Sequence, residues 1–192
     1  MNPPIIIMGI AGSLRAGSYN RAALRAAQGL VPQGVRLDTF ELNEIPLFDQ
    51  DRESPPPPAV AELKARVRSA DAILFATPEY NHSSPGVLKT AIDWVSRPYG
   101  DSAWDSKPAA MMGASIGSFG TARAQDQLRQ VLITLNMRVL NRPEVLIANA
   151  QRGFDEHGVL TDESTKERIR KLLHALVDWT IRLNAPEAGI SR

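Results

Sequence analysis

The chain has 192 residues, enough for one domain with a core of its own, and its 22 basic and 21 acidic side chains leave a formal charge of +1. So even a balance, with no basic block, excludes the positive field that gathers nucleic acid or anionic lipid. The absence of cysteine excludes disulfides, thiolate metal sites and thiol redox chemistry, so any redox role must come from a bound cofactor.

Residues 5–10, IIIMGI, are short, β-branched and continuously apolar, the pattern of a strand buried on both faces of a parallel sheet. The stretch NRAALRAAQGL from Asn20 is rich in helix formers behind a capping residue. Residues 35–42, VRLDTFEL, alternate more openly and suit an edge strand. The proline-rich stretch that follows, LNEIPLFDQDRESPPPPAV, reads as a connection inside one domain of residues 1–192. Beyond it, AVAELKARVRSA is expected to be a helix, DAILFAT an interior strand and GVLKTAIDWV a helix whose apolar residues share one face. KPAAMMGAS is a further buried strand, TARAQDQLRQVLITL a helix and EVLIANA the last strand. TDESTKERIRKLLHALVDWTIRL closes the chain as an amphipathic helix capped by Thr161 or Asp162. The start of the chain lacks the pattern of a targeting signal, and no apolar run approaches the roughly 20 residues of a membrane span. A soluble, cytoplasmic protein is expected.

Strands alternating with helices imply a parallel sheet covered on both faces, and right-handed crossovers narrow this to a doubly wound fold. Five strands with an amphipathic second one point to the order 2-1-3-4-5, a three-layer α/β arrangement of the flavodoxin type. Ligands in such sheets sit off the carboxyl ends of the strands. Three loops, residues 12–20, 77–85 and 115–121, are therefore expected on one edge.

The first loop, GSLRAGSYN, offers the Ser13 and Ser18 hydroxyls, the Asn20 amide and the Arg15 guanidinium where a helix begins. Helix starts attract anions, so one phosphate monoester fits; Ser18 or Asn20 serves equally well as a plain helix cap. In the second loop, Pro78 ends a strand, and Ser84 is expected to cap a helix with Pro85 at its first position. The residues between hold Glu79, Tyr80 and Asn81 over the sheet edge, where a flat heterocycle would meet main-chain donors and the Tyr80 ring. An ordinary strand-to-helix loop with a surface tyrosine is the plainer alternative. His82, His157 and His174 lack metal-ligand spacing, and no metal site is expected. The serines near His82 lack the G-x-S-x-G setting of a hydrolase nucleophile.

Taken together, GSLRAGSYN, PEYNHSSPGVLKTAIDWVSRP and GASIGSFGTARAQ resemble, in order and spacing, the NADPH-dependent FMN reductase family of flavin, quinone, azo-dye and chromate reductases. LNEIPLFDQD and FDEHGVLTDE are also similar to that family's connecting segments, so the likeness spans nearly the whole chain. The resemblance implies a flavodoxin-like fold that binds FMN non-covalently, takes hydride from NADPH or NADH and passes electrons to a small-molecule acceptor such as a quinone. It assigns the FMN phosphate to Ser13, Arg15, Ser18 and Asn20, and the ring to Pro78, Glu79, Tyr80 and Asn81. Ser115 and Gly117 are expected near the flavin, with no catalytic side chain required. A homodimer, or a tetramer built from dimers, is implied as well, with neither nucleic acid nor membrane as partner. The segment SIGSFGTA departs from the more glycine-rich turn of many relatives, at Ser118 and Phe119. Ile92 and Trp94 are either core or subunit contacts. Arg97 and Arg123 either meet the NADPH phosphate or a partner subunit, or are solvated. The competing readings are a flavodoxin-type electron carrier and a sensing or scaffolding protein that keeps the fold without turnover.

Overall fold

The computed structural model describes residues 3–185. The ends of the expected domain, residues 1–2 and 186–192, lie outside the described residues. Three strands form the centre: β1 (Ile5–Ala11), β3 (Ala72–Ala76) and β4 (Pro108–Ala114), all paired in parallel. β2 (Val35–Phe40) flanks β1 on the outer side, which makes it the edge strand its open alternation implies. The helices are α1 (Tyr19–Gln28), α2 (Pro58–Ser69), α3 (Gly86–Val95), α4 (Ala122–Thr134) and α5 (Glu163–Asn184). The order β2-β1-β3-β4 followed by the fifth position is that of the flavodoxin-like sheet.

That fifth position is shared. β5 (Arg138–Val139) pairs with the start of β4, and β6 (Val145–Ile147) pairs with its end. The expected last strand, EVLIANA, covers the second piece; the first, only two residues long, carries no period that would mark a strand.

Alternate residues of each strand enter opposite cores. Ile7, Leu74 and Met112 pack under α1 and α5, while Met8, Ile73, Phe75 and Met111 pack under α2, α3 and α4. Both faces of a parallel sheet are thereby sealed, and each fully buried large aliphatic contributes about 1.5–3 kcal/mol. Trp104 belongs to the second core, its ring 5.9 Å from that of Phe75 and its indole N–H donating to the Ile92 carbonyl. Ile92 and Trp94 are buried in the same core, and the Trp94 indole donates to the Pro46 carbonyl, so both are core residues.

The proline-rich stretch is a connection, as expected: it includes a short 3-10 turn, Gln50–Arg52, and leads into α2. Helix α3 begins one residue later than expected. Pro85, with ψ 150°, is the capping position and Gly86 the first helical residue, so Ser84 makes no cap. Asp162 caps α5 by accepting from the Thr165 amide at 2.7 Å. No helix among the described residues is long and apolar enough to cross a membrane.

Candidate functional site

The parallel register aligns the carboxyl ends of the central strands: Ala11 lies beside Ala76, and Ala76 beside Met112. The loops that leave them stay in contact. The Gly12 amide donates to the Ala76 carbonyl at 2.9 Å, Thr77 to Met112 at 3.0 Å, and Ser115 to Ile147 at 3.0 Å. A side chain on Gly12 would meet Pro85 at 3.0 Å, so the bare glycine lets the start of α3 close against the first loop. Between the three loops lies a cleft of about 210 Å³. Three larger hollows exist, of about 340 Å³ between α2 and Arg97, about 530 Å³ beside α1 and α5 and about 660 Å³ near Tyr99, but none of them sits at the carboxyl ends of the central strands.

Eight of the ten expected site residues line the cleft: Ser13, Arg15, Ser18 and Asn20 from the first loop, Pro78, Glu79 and Tyr80 from the second, Ser115 from the third. Asn81 and Gly117 sit on the same loops but outside the lining. Tyr19, Ala114 and Ile116 complete the wall and were missed. Tyr19 stood inside the quoted GSYN motif, and its ring packs 5.3 Å from that of Phe154. Ile116 carried no signal other than its place between two expected residues.

The roles of these side chains differ. Ser18 caps α1, its Oγ accepting from the Asn20 and Arg21 amides at 3.2 and 3.4 Å, which leaves its hydroxyl proton available. Asn20, 3% exposed, is committed to the backbone of β4: its Nδ2 donates to the Ala114 carbonyl at 2.9 Å and its Oδ1 accepts from the Ala114 amide at 2.8 Å. Ser13, though 6% exposed, makes no side-chain hydrogen bond among the described residues, and Arg15 reaches only the Gly17 carbonyl at 3.2 Å. The main-chain N–H groups of residues 13–17 also have no partner among the described residues. A run of open donors beside a guanidinium and two hydroxyls, at a helix start, has the chemistry that attracts an anion.

The second loop is built on a tight turn. Tyr80 and Ser83 exchange both main-chain hydrogen bonds at 3.0 Å, and Asn81 and His82 between them have φ of 51° and 64°. Two consecutive left-handed residues form a type I′ turn, and asparagine and histidine tolerate that region better than most residues. The turn uses the Tyr80 N–H and leaves those of Glu79 and Asn81 open among the described residues. Tyr80 is 51% exposed at the cleft's edge, and Ile116 and Phe119 are exposed on the third loop.

Glu79 faces away from the open donors. Its carboxylate accepts from the Arg123 and Ala124 amides at 3.1 and 3.2 Å and from the Arg123 Nε at 2.6 Å. Burial raises the Glu79 carboxyl, but the Arg123 guanidinium and the two amides outweigh it and hold the group below the usual carboxylate range. Arg123 is thus paired, and it also lies 4.7 Å from the Phe119 ring centre. Arg97 is paired with Glu53 at 2.5 Å and stacks 3.7 Å from the Tyr99 ring, away from the cleft. No cluster of metal-ligating side chains occurs among the described residues.

Comparison with known proteins finds relatives that span nearly the whole chain. A family model for the NADPH-dependent FMN reductases matches residues 5–152. An NAD(P)H-dependent FMN reductase of Pseudomonas aeruginosa is 51% identical, covering 95% of this chain and 99% of its own. A 2-hydroxy-1,4-benzoquinone reductase of Burkholderia sp. is 38% identical over 88% and 93% of the two chains. Among solved structures, FerB, a flavoenzyme NAD(P)H:(acceptor) oxidoreductase from Paracoccus denitrificans, superposes with a TM-score of 0.84 at 36% identity, covering 93% of this chain and 98% of FerB.

Proposed function

The chain belongs to the NADPH-dependent FMN reductase family, and from that premise we propose that it holds FMN in the cleft at the strand ends. It uses NADPH or NADH to reduce a quinone, a free flavin or a similar small acceptor. The observation that carries this reading is the set of open donors in the first loop, the N–H groups of residues 13–17, beside Arg15 and the unpartnered Ser13 hydroxyl.

When bound, FMN supplies the two-electron chemistry that links a nicotinamide donor to an acceptor. The chain's share is placement and charge. Arg15, Ser13 and the proton of Ser18 would hold the phosphate with charge-assisted hydrogen bonds. The open N–H groups of Glu79 and Asn81 serve the polar edge of the ring, where donors favour negative charge. Tyr80 on the second loop and Ser115 on the third would border the ring. Asn20 supports the seat by holding α1 to β4. No side chain of the cleft is asked to act as acid, base or nucleophile.

A homodimer, or a tetramer built from dimers, is part of the proposal. Tyr80 and Ile116 are exposed apolar residues at the cleft and Phe119 is exposed farther along the third loop, and a second copy covering them would shield the ring from water. The cytoplasm, where reduced nicotinamides are available, is the proposed location, and the proposed partners include neither nucleic acid nor membrane. Residues 1–192 act in this reading as one domain.

The test is a visible spectrum of the purified protein followed by anaerobic addition of NADPH, then of a quinone. A yellow protein that bleaches and recovers supports the proposal. A protein that cannot be loaded with FMN refutes it, and one bleached only by a separate reductase is a carrier. The Arg15→Ala variant is expected to bind FMN about 1–3 kcal/mol more weakly. Its urea midpoint should not move, because Arg15 meets only an exposed carbonyl in its own loop.

A further inference from the structure

We propose that Glu79 is a positioning residue, whose carboxylate fastens the ring-facing loop to the first turn of α4 so that the second and third loops of the cleft hold one relative geometry. The inference rests on the reading of the cleft as the FMN seat and assigns a task within it that needs no contact with the ligand.

The start of α4 lacks a cap of its own. Its capping residue, Thr121, is left-handed with φ 73°, and the Thr121 side chain makes no cap bond; it accepts instead from Gln125 at 3.1 Å. The amides of Arg123 and Ala124 are left for Glu79, 44 and 45 positions earlier in the chain, which takes them with one oxygen at 3.1 and 3.2 Å. The other oxygen holds the Arg123 guanidinium at 2.6 and 2.5 Å. With both oxygens occupied and the side chain only 9% exposed, the carboxylate is spent on α4. A carboxylate is the group this position needs: four donors converge on it, next to the positive end of a helix.

These are the only hydrogen bonds among the described residues that join residues 78–83 to residues 115–124. The second loop is otherwise held by its own turn, by the strand from which it leaves and by α3, into which it leads. Release of Glu79 therefore frees the peptides that carry the Glu79 and Asn81 N–H groups. It also frees Arg123, and with it the packing on Phe119.

The experiment compares wild type, Glu79→Gln, Arg123→Met and the double variant. FMN binding is followed by the quenching of flavin fluorescence, and amide hydrogen exchange is measured on the FMN-free proteins. Glutamine keeps the size but sets an N–H₂ group against donors. Glu79→Gln should weaken FMN binding about tenfold, near the lower end for hydrogen bonds to charged groups. Arg123→Met should weaken it by a smaller factor, and the double variant should bind no worse than Glu79→Gln, since coupled sites are not additive. In FMN-free Glu79→Gln, exchange should accelerate in both residues 77–83 and residues 120–124.

Two results would overturn the proposal. One is weakened binding in Glu79→Gln with Arg123→Met unchanged, which means the carboxylate meets the flavin itself. The other is faster exchange in residues 120–124 alone, which reduces Glu79 to a helix cap. If wild type takes up no FMN, the reading of the cleft fails, and the exchange measurement still decides whether the two loops are coupled.

Discussion

Replacing Asn20 by alanine removes two hydrogen bonds that join the first turn of α1 to the end of β4, at 2.9 and 2.8 Å. Asn20 and Ala114 are both buried, and the Ala114 N–H and C=O lose their partners together. A buried group left unpaired costs about 1–3 kcal/mol, and water entering from the cleft favours the lower half of that range. The sum is a loss of about 2–4 kcal/mol. With a urea slope of about 2 kcal/mol/M, the unfolding midpoint should fall by about 1–2 M in the FMN-free protein. Asn20→Asp should lose a similar amount, because it keeps the acceptor for the amide but turns a second oxygen toward the carbonyl. Urea titration of the FMN-free variants, followed by circular dichroism, measures this directly. An unchanged midpoint combined with a large loss of FMN binding would refute the reasoning and make the Asn20 amide a ligand to phosphate rather than a brace behind it.

Two further expectations follow from the same structure. A methyl group at Gly113 would lie 1.9 Å from the Thr121 Oγ1 and 2.4 Å from the Thr77 carbonyl. Gly113→Ala should therefore cost about 1–3 kcal/mol or more; since the second obstacle is backbone, Thr121→Ala, which removes the hydroxyl, should not restore the urea midpoint in the same protein. Asp162, the cap of the 22-residue α5, has a carboxyl held below its usual range by its hydrogen bonds with Thr165, against the opposing effect of burial. A lowered pKa in the folded state means stability that is present above the unfolded value and lost as pH falls through the folded one. Asp162→Ala should thus cost about 1 kcal/mol near neutral pH, and the gap to wild type should narrow below the usual carboxylate range; a gap that stayed constant from neutral to acid would contradict this.

The parts of the fold that were legible in the sequence are those with a local pattern. The β-branched run of β1, the fully apolar AILFA of β3 and the one-faced apolar spacing of α3 each declare themselves within a few residues, and the alternation of strands with helices together with the amphipathic β2 implies the sheet order. The cleft followed, because sheet order decides which loops meet. Contacts between distant residues were not legible. Nothing near Asn20 shows that its amide will be used 94 positions away at Ala114, and a phosphate contact was the natural expectation. Nothing near Glu79 shows that a helix 44 residues later will lack its own cap. The turn at Asn81 and His82 is an intermediate case. Asparagine and histidine both tolerate left-handed backbone, yet two in succession is a demand set by the Tyr80–Ser83 exchange, not by either residue alone.

The open donors of the first loop belong to peptides, and this reverses the usual scale of mutational severity. Substituting Leu14 or Ala16 with almost any amino acid exchanges an exposed side chain while the N–H stays in place, so an alanine scan would pass over much of the proposed phosphate seat in silence. Proline at either position is a small change in bulk, but it deletes the one atom that matters.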